Sequence, residues 1–234
     1  MKLPISKRLL LCTELITSCD TVADVGTDHG YLGIYLLRQG ICRHVIASDL
    51  REKPLASARA NAALFGVQDH ITFLQSDGLE SIQPGSFQTL VLAGMGGDLI
   101  ARILEQAPWL KDEGVTLILQ PQSAMHDLRR LLSETGWHIC RERLARDGHF
   151  LYAVMEAKPG QGSALTPAEQ YLSPALRQSG DPLFAQYEAR MILALERTVA
   201  GIEQSKDPAD LEKLDYYRAA LQELSAQRER SDLR

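Results

Sequence analysis

The feature that most restricts how this chain folds is an alternation, over residues 21–158, of short β-rich apolar runs with segments of helical period. The runs are TVADVG, HVIASDL, ITFLQSD, TLVLAGM, VTLILQP, WHICRERL and HFLYAVME. Between them, YLGIYLLRQG, EKPLASARANAALFG, GDLIARILEQA and SAMHDLRRLLSETG space their apolar residues near the helical repeat and often end on Gly. Five successive apolar strands with helical crossovers predict a central parallel sheet covered on both faces, and the last two runs, joined by ARDG, predict an antiparallel edge hairpin. Sheets of this kind bind ligands outside the carboxyl ends of their strands.

After Lys158 the character changes. PGQGSALTPAEQ reads as a linker and SPALRQSGDP as a second broken stretch. Phe184, Tyr187, Met191, Ala194 and Thr198 then recur at helical spacing, KDPAD interrupts, and Leu214, Tyr217, Leu221 and Leu224 resume it. The expectation is an α/β domain over residues 1–160 and a helical, coiled-coil-like hairpin over 161–234. A charge of −5 excludes a globally basic nucleic-acid-binding footprint, although a local basic face remains compatible with it. Glu14 and Asp20 break the apolar run near the start, so neither a signal peptide nor a membrane span is expected and the protein reads as cytoplasmic. Cys12, Cys19, Cys42 and Cys140 have no metal-ligand spacing, which predicts reduced thiols and no metal. Nothing specifies an oligomeric state; a monomer is expected.

The first strand runs into Asp24-Val-Gly26-Thr-Asp28-His29-Gly30-Tyr31-Leu32. A dinucleotide-binding turn would present glycines and helix amides to a pyrophosphate. Asp28 stands in the middle of this one, where it would repel a phosphate but attract a cationic ligand, and so disfavours NAD. The second strand ends at Asp49, near the ~20-residue offset at which an acid reaches a ribose diol. The third ends at Asp77, placed to accept from an adenine amino group. Taken singly, an Asp that closes a strand is more often a turn former or helix cap; an acid in each of three successive β–α junctions favours a nucleoside site. The fourth strand delivers Ala93-Gly94-Met95-Gly96-Gly97, whose glycines form either a plain tight turn or room for a planar group. The fifth delivers Gln120-Pro121-Gln122 to the same crevice. His29, His44 and His70 lack metal spacing, and His29 reads as a pocket or turn residue.

ADVGTDHGYL, SDGLE, LAGMGG and LILQP, with SKRL near the start, resemble in order and spacing the tRNA (adenine(22)-N1)-methyltransferase family. The resemblance implies a Rossmann-like class I methyltransferase sheet followed by a helical domain, S-adenosylmethionine as cofactor and tRNA as substrate. It implies that Asp24, Gly26, Asp28, His29, Gly30 and Tyr31 line the methionine end. Asp49 and Leu50 would lie at the ribose, Asp77, Gly78 and Leu79 at the adenine, and Ala93, Gly94 and Met95 at the reacting centre. Asp28, Gly94, Met95 and Tyr152 are then the candidate catalytic residues, with Tyr31, Phe150 and Tyr152 as stacking surfaces for an extruded base. Lys7, Arg8, Arg129, Arg130, Arg141, Arg143 and Arg146 are the candidate phosphate contacts, against solvated surface as the bland alternative. Adenine N1 already carries an in-plane lone pair, so Asp28 is expected to stabilise charge rather than abstract a proton; holding the cofactor amine or the acceptor's amino group is equally open. A methyltransferase of a small molecule or protein, an oxidoreductase, and a non-catalytic adaptor on the same fold remain alternatives.

Overall fold

The computed structural model describes residues 2–160, 162–205 and 207–232. Its parallel strands are β1 (Thr21–Val25), β2 (His44–Asp49), β3 (Ile71–Gln75), β4 (Thr89–Met95) and β5 (Thr116–Pro121), and the hairpin is β6 (Trp137–Asp147) with β7 (Phe150–Pro159). They form one sheet in the order β3-β2-β1-β4-β5-β7-β6, in which β7 runs antiparallel to both neighbours. The expected strands are all present. Neighbouring side chains in each strand enter opposite cores, as a pleat requires. Val22, Val45, Val91, Ile118 and Val154 meet α1 (Lys7–Leu15), α2 (Tyr31–Arg38) and α3 (Glu52–Leu64). Ala23, Ile46, Leu90, Leu92, Leu117 and Leu119 meet α4 (Gly97–Gln106), α5 (Trp109–Asp112) and α6 (Met125–Glu134). Each buried Val, Leu or Ile among them contributes roughly 1.5–3 kcal/mol by leaving water.

Two features depart from expectation. Helix α1 precedes the first strand and buries Leu11, Cys12 and Leu15; Ser6 caps it by accepting from Leu9 N. The β3–β4 crossover carries no helix. Pro84 and Gly85 deny it a helical interior, and it covers the sheet as an irregular layer through buried Leu79, Ile82 and Phe87.

Beyond the sheet, α7 (Pro167–Tyr171), α8 (Pro174–Gln178), α9 (Phe184–Glu203), α10 (Pro208–Leu211) and α11 (Leu214–Asp232) follow. Gln161 and Lys206, which fall in the two expected connections, lie outside the described residues. Thr166 and Glu169 form a capping box on α7, and Ser173 caps α8. Helices α9 and α11 make the expected hairpin, but the buried stripe of α9 is Tyr187, Ile192, Leu195 and Val199. Ala194 and Thr198 face solvent, because the neighbouring Leu195 and Val199 bury more apolar surface from an adjacent helix position. The core of the helical unit is continuous with the sheet through Leu144 and Ala153.

The two parts are fastened by a buried ion pair. Arg129 on α6 and Glu142 on β6 have side chains 1% and 0% exposed and pair directly. Arg129 Nη1 donates to the carbonyls of Gln170 and Tyr171 at 2.8 Å each, and Glu142 accepts from Ser173 Oγ at 2.5 Å. Arg129 is therefore no phosphate contact: its donors are used inside the protein, on the end of α7. Removing one partner of such a pair leaves an uncompensated charge. Arg129→Met is expected to cost about 3–5 kcal/mol in urea unfolding, while Arg129→Met with Glu142→Leu recovers most of it; equal losses in the single and double variants would contradict this.

Candidate active site

The parallel strands end on one edge, and the chain reverses its direction of progress between β1 and β4, which lie side by side. Such a switch point leaves a crevice because the connections on its two sides diverge. A cavity of about 710 Å³ opens there, lined by the ends of β1 to β4 and by α1 and α4. Its wall includes Asp24, Gly26, Asp28, His29, Tyr31, Asp49, Leu50, Asp77, Gly78, Ala93, Gly94 and Met95. Residues separated by up to 71 positions in sequence thus meet at one site, the carboxyl ends of the first four strands.

The first junction is tightly coiled: Gly26, Asp28 and Gly30 all have positive φ, at 80°, 50° and 74°. A Cβ at Gly26 would sit 2.9 Å from Met95 Cε, so the turn and the fourth-strand motif are in contact. Asp28 is one of two non-glycine residues in the left-handed region among those described, a conformation that Asp tolerates at some cost. Its side chain is 71% exposed, with His29 Nε2 3.7 Å from its carboxylate. The His29 and Tyr31 rings stack at 5.6 Å and form an aromatic rim. Asp24 differs: it is buried, accepts from Thr27 Oγ1 at 2.7 Å, and has its carboxyl pushed up to about 6 by desolvation, with the nearby Asp49 charge adding to the shift.

The fourth-strand motif is built around a bulge. The β4–β5 register shifts between Ala93 and Met95, and Gly94 between them has φ 81°. Its amide, lost to the ladder, donates to Gln120 Oε1 at 3.2 Å. The same oxygen accepts from Arg8 Nη1 at 2.8 Å. Arg8 lies over Gly94, its Nη1 3.1 Å from where a Cβ would be. The planar group that this glycine admits is thus a guanidinium from α1. Gly97 is equally constrained, since a Cβ there would meet the Ser123 and Ala124 carbonyls at 2.6 and 2.7 Å.

Several expected positions differ. Gly30 is absent from the cavity wall; it opens α2 and is packed against Ala58. Leu79 is turned into the core, where it is 8% exposed. Tyr152 lies outside the cavity on the hairpin, 6.1 Å from the Phe150 ring. Among the basic candidates, Arg141 pairs with Glu156 and also donates to the Leu15 carbonyl, Arg143 pairs with Asp181, and Arg130 pairs with Asp127 at 3.0 Å. Arg146 meets Gln186, a neutral partner, and Lys7 is exposed. Arg8 is the site residue whose pocket role local sequence did not show; Gln120, expected at this crevice, is buried behind the wall as the acceptor for Arg8 and Gly94. Leu99, Arg102 and Ile103 also line the cavity from α4, and their helical spacing was the available signal. Among the described residues, no three His, Cys, Asp or Glu side chains gather into a metal-binding group, and no helix is long and apolar enough to cross a membrane.

A family profile described as a methyltransferase domain matches residues 5–155. The chain is 30% identical to the tRNA (adenine(22)-N(1))-methyltransferase of Bacillus subtilis over 217 residues, covering 91% of this chain and 90% of that protein. The crystal structure of the B. subtilis m1A22 tRNA methyltransferase TrmK superposes with a TM-score of 0.83 at 28% identity, covering 96% of this chain and 99% of that one. A Streptococcus pneumoniae structure in complex with S-adenosyl-L-methionine superposes with a TM-score of 0.79 at 30% identity, covering 93% and 99% of the two chains.

Asp24 gives the site a pH signature. Burial disfavours its ionised form, so its contribution to the stability of the ligand-free protein is fullest below pH 3.8 and is lost as pH rises through about 6. A cationic ligand draws the carboxylate back to its charged form. Affinity for S-adenosylhomocysteine is therefore expected to rise several-fold between about pH 5 and pH 7 in calorimetric titration, and Asp24→Asn to flatten that rise. An unchanged slope in the variant would remove Asp24 from the binding equilibrium.

Proposed function

From the premise that this chain belongs to the tRNA (adenine(22)-N1)-methyltransferase family, we infer how its own residues carry out that reaction. The protein uses S-adenosylmethionine to methylate N1 of an adenine in tRNA. The cavity fits such a cofactor: its wall carries Asp24, Asp28, Asp49 and Asp77, which suits a cationic nucleoside without phosphate and opposes a pyrophosphate. Asp49 would hold the ribose diol, Asp77 and Gly78 the adenine, and Asp24 with the Gly26–Thr27 turn the amino end. When bound, the cofactor supplies a methyl group made electrophilic by its sulfonium.

The remaining work belongs to the protein. N1 of adenine is nucleophilic without deprotonation, so orientation and charge stabilisation are the needs. Asp28 meets the second. The left-handed turn between Gly26 and Gly30 presents its carboxylate at the cavity wall, and this observation carries the assignment. As N1 is alkylated, positive charge spreads into the acceptor ring, and a fixed carboxylate favours that state over the neutral one. The stacked His29–Tyr31 rim offers a face for the extruded base. Gly94 and Met95 border the reacting centre.

Asp28→Ala is expected to lower kcat by about 100-fold or more while changing the KM for tRNA less than about threefold, as for loss of a group that acts mainly in the transition state. The measurement is transfer of labelled methyl to unmodified tRNA. A rate within twofold of the parent would end the assignment, and no incorporation into any adenine-22 tRNA by the parent would end the RNA reading.

For tRNA docking, the hairpin is the favoured surface. Because β7 runs antiparallel to β5, the β6–β7 turn stands at the sheet edge on which the cavity opens. Phe150 there is 65% exposed beside Tyr152, with Arg146 and Arg190 nearby. Lys7 is exposed at the head of α1, whose Arg8 and Leu9 line the cavity. The helical unit that follows the methyltransferase domain of residues 1–160 meets the hairpin through Arg146 with Gln186 and Arg190 with the His149 carbonyl, which supports its extending this surface. A tRNA substrate and four free cysteines agree with action in the cytoplasm. Lys7→Ala with Arg146→Ala is expected to raise the KM for tRNA several-fold and to reduce the salt dependence of binding by about two phosphate contacts. Cofactor affinity should be unchanged; an undiminished salt slope would place the tRNA elsewhere.

A further inference from the structure

The fifth strand closes on two glutamines, and the fold consumes only the first. Gln120 is fully buried; its oxygen accepts from Gly94 N and Arg8, and its nitrogen donates to the Pro121 carbonyl. Gln122 is exposed, and its carboxamide makes no hydrogen bond among the described residues. Its backbone is nevertheless held. Gln122 N donates to the Met95 carbonyl at 2.9 Å, one step past the Met95–Pro121 pair of the β4–β5 ladder. The turn that follows is packed on the glycines of the fourth-strand motif: a Cβ at Gly96 would stand 3.0 Å from Ser123 Oγ, and one at Gly97 2.6 Å from the Ser123 carbonyl. Ala124 completes the turn with a left-handed φ of 49°, a conformation that only surrounding contacts sustain. A free amide on a backbone fixed in this way is already organised to receive a ligand.

The place of Gln122 in the sheet says which ligand. Strand β5 ends on the edge where the cavity opens, and a pleat returns the residue two after Gln120 to the face that Gln120 shares with Arg8. Gln122 stands outside the wall of the cofactor cavity, as suits a group that meets the acceptor rather than the cofactor. The order β1-β4-β5 sets three features in a row. The His29–Tyr31 rim follows β1, Met95 ends β4 with its methyl against the Gly26 turn, and Gln122 follows β5. Adjacent strands stand about 4.8 Å apart, so the row is about 10 Å wide, room for a purine between the rim and the amide.

We propose that Gln122 identifies the target base, its carboxamide pairing with the N6 and N7 edge of adenine while N1 faces the cofactor. This rests on the adenine-N1 reading of the site. N1 has to stay open to the methyl group, so a residue that recognises the base must use another edge. Adenine offers an N6–H donor and an N7 acceptor there, which match the acceptor and the donor of one carboxamide. Guanine offers two acceptors, O6 and N7, and leaves the amide oxygen unanswered. The same two bonds hold the base in its plane, which aims the N1 lone pair at the methyl carbon. Gln122 is in this view a specificity-determining residue, and the amide left over at the end of β5 has a task.

The test exchanges one ring atom of the substrate. Ligated tRNA carries adenosine or 7-deazaadenosine at position 22; the second keeps N1 and N6 but has carbon in place of N7, so only one of the two bonds is lost. The ratio of kcat/KM for the two substrates is measured in the parent and in Gln122→Ala, which cancels any difference in the intrinsic reactivity of N1. The parent ratio is expected to exceed that of the variant by about 5- to 20-fold. Gln122→Glu, which accepts from N6 but repels N7, should shift the preference toward 7-deazaadenosine. Both variants should bind S-adenosylhomocysteine as the parent does. An unchanged ratio in Gln122→Ala would overturn the proposal. Loss of S-adenosylhomocysteine affinity in step with turnover would also overturn it, by making Gln122 part of the strand-end scaffold. Failure of the parent to methylate the adenosine tRNA would remove the reading on which the proposal rests, and the proposal with it.

Discussion

Every strand of the parallel part ends on the same edge because each is regained by a crossover on a face of the sheet, and that constraint organises the rest of the molecule. Where the crossovers change direction, between β1 and β4, no connection covers the strand ends. The exposed junctions then supply whatever chemistry the chain possesses. Asp24 and Asp28 come from the first, Asp49 from the second, Asp77 from the third and Gly94 with Met95 from the fourth. The register of β1 with β2 and β4 brings these ends level, so that one small ligand can touch them all.

Within the crevice the chain divides its acids by environment. Asp24 is buried, and desolvation raises its pKa to about 6 against the opposing hydrogen bond from Thr27. Asp28 projects from a left-handed turn into a wetter position, its side chain 71% exposed. The bulge at Gly94 adds the third ingredient. A residue inserted into β4 frees an amide, Gln120 on the next strand takes it up, and the spare capacity of that same oxygen holds the Arg8 guanidinium. A local irregularity in the sheet thereby fixes a charge that the sheet itself does not carry.

The second part of the chain is joined to the first by chemistry rather than by a linker alone. Arg129 and Glu142 would be costly to bury separately; together they satisfy the carbonyl end of α7 and the serine that starts α8. A ladder of His126, Tyr171 and Tyr216 continues the contact from α6 into α11, with ring separations of 4.7 and 6.5 Å. Burial lowers the His126 pKa, which keeps that rung neutral against its tyrosine neighbour.

The sequence by itself determined the strands, the antiparallel hairpin, four of the helices that cover the sheet and the acids at the ends of the first three strands. These are written in local periodicity and in residue types at strand ends, which a pleat and a helix read over a few positions. The motif around Asp28 and the glycines after β4 likewise identified the family, because backbone conformation there admits few residues. Tertiary structure decided what each long cation does. Arg8, Arg129, Arg141 and Arg146 look alike as sequence, all basic and all adjacent to apolar residues. One enters the cofactor pocket, one is fully buried, one pairs with Glu156, and one stands at the hairpin tip against Gln186. A flexible side chain with a delocalised charge takes its role from partners that may be more than a hundred residues away, as Gln120 is from Arg8, and no short-range pattern encodes such a partner.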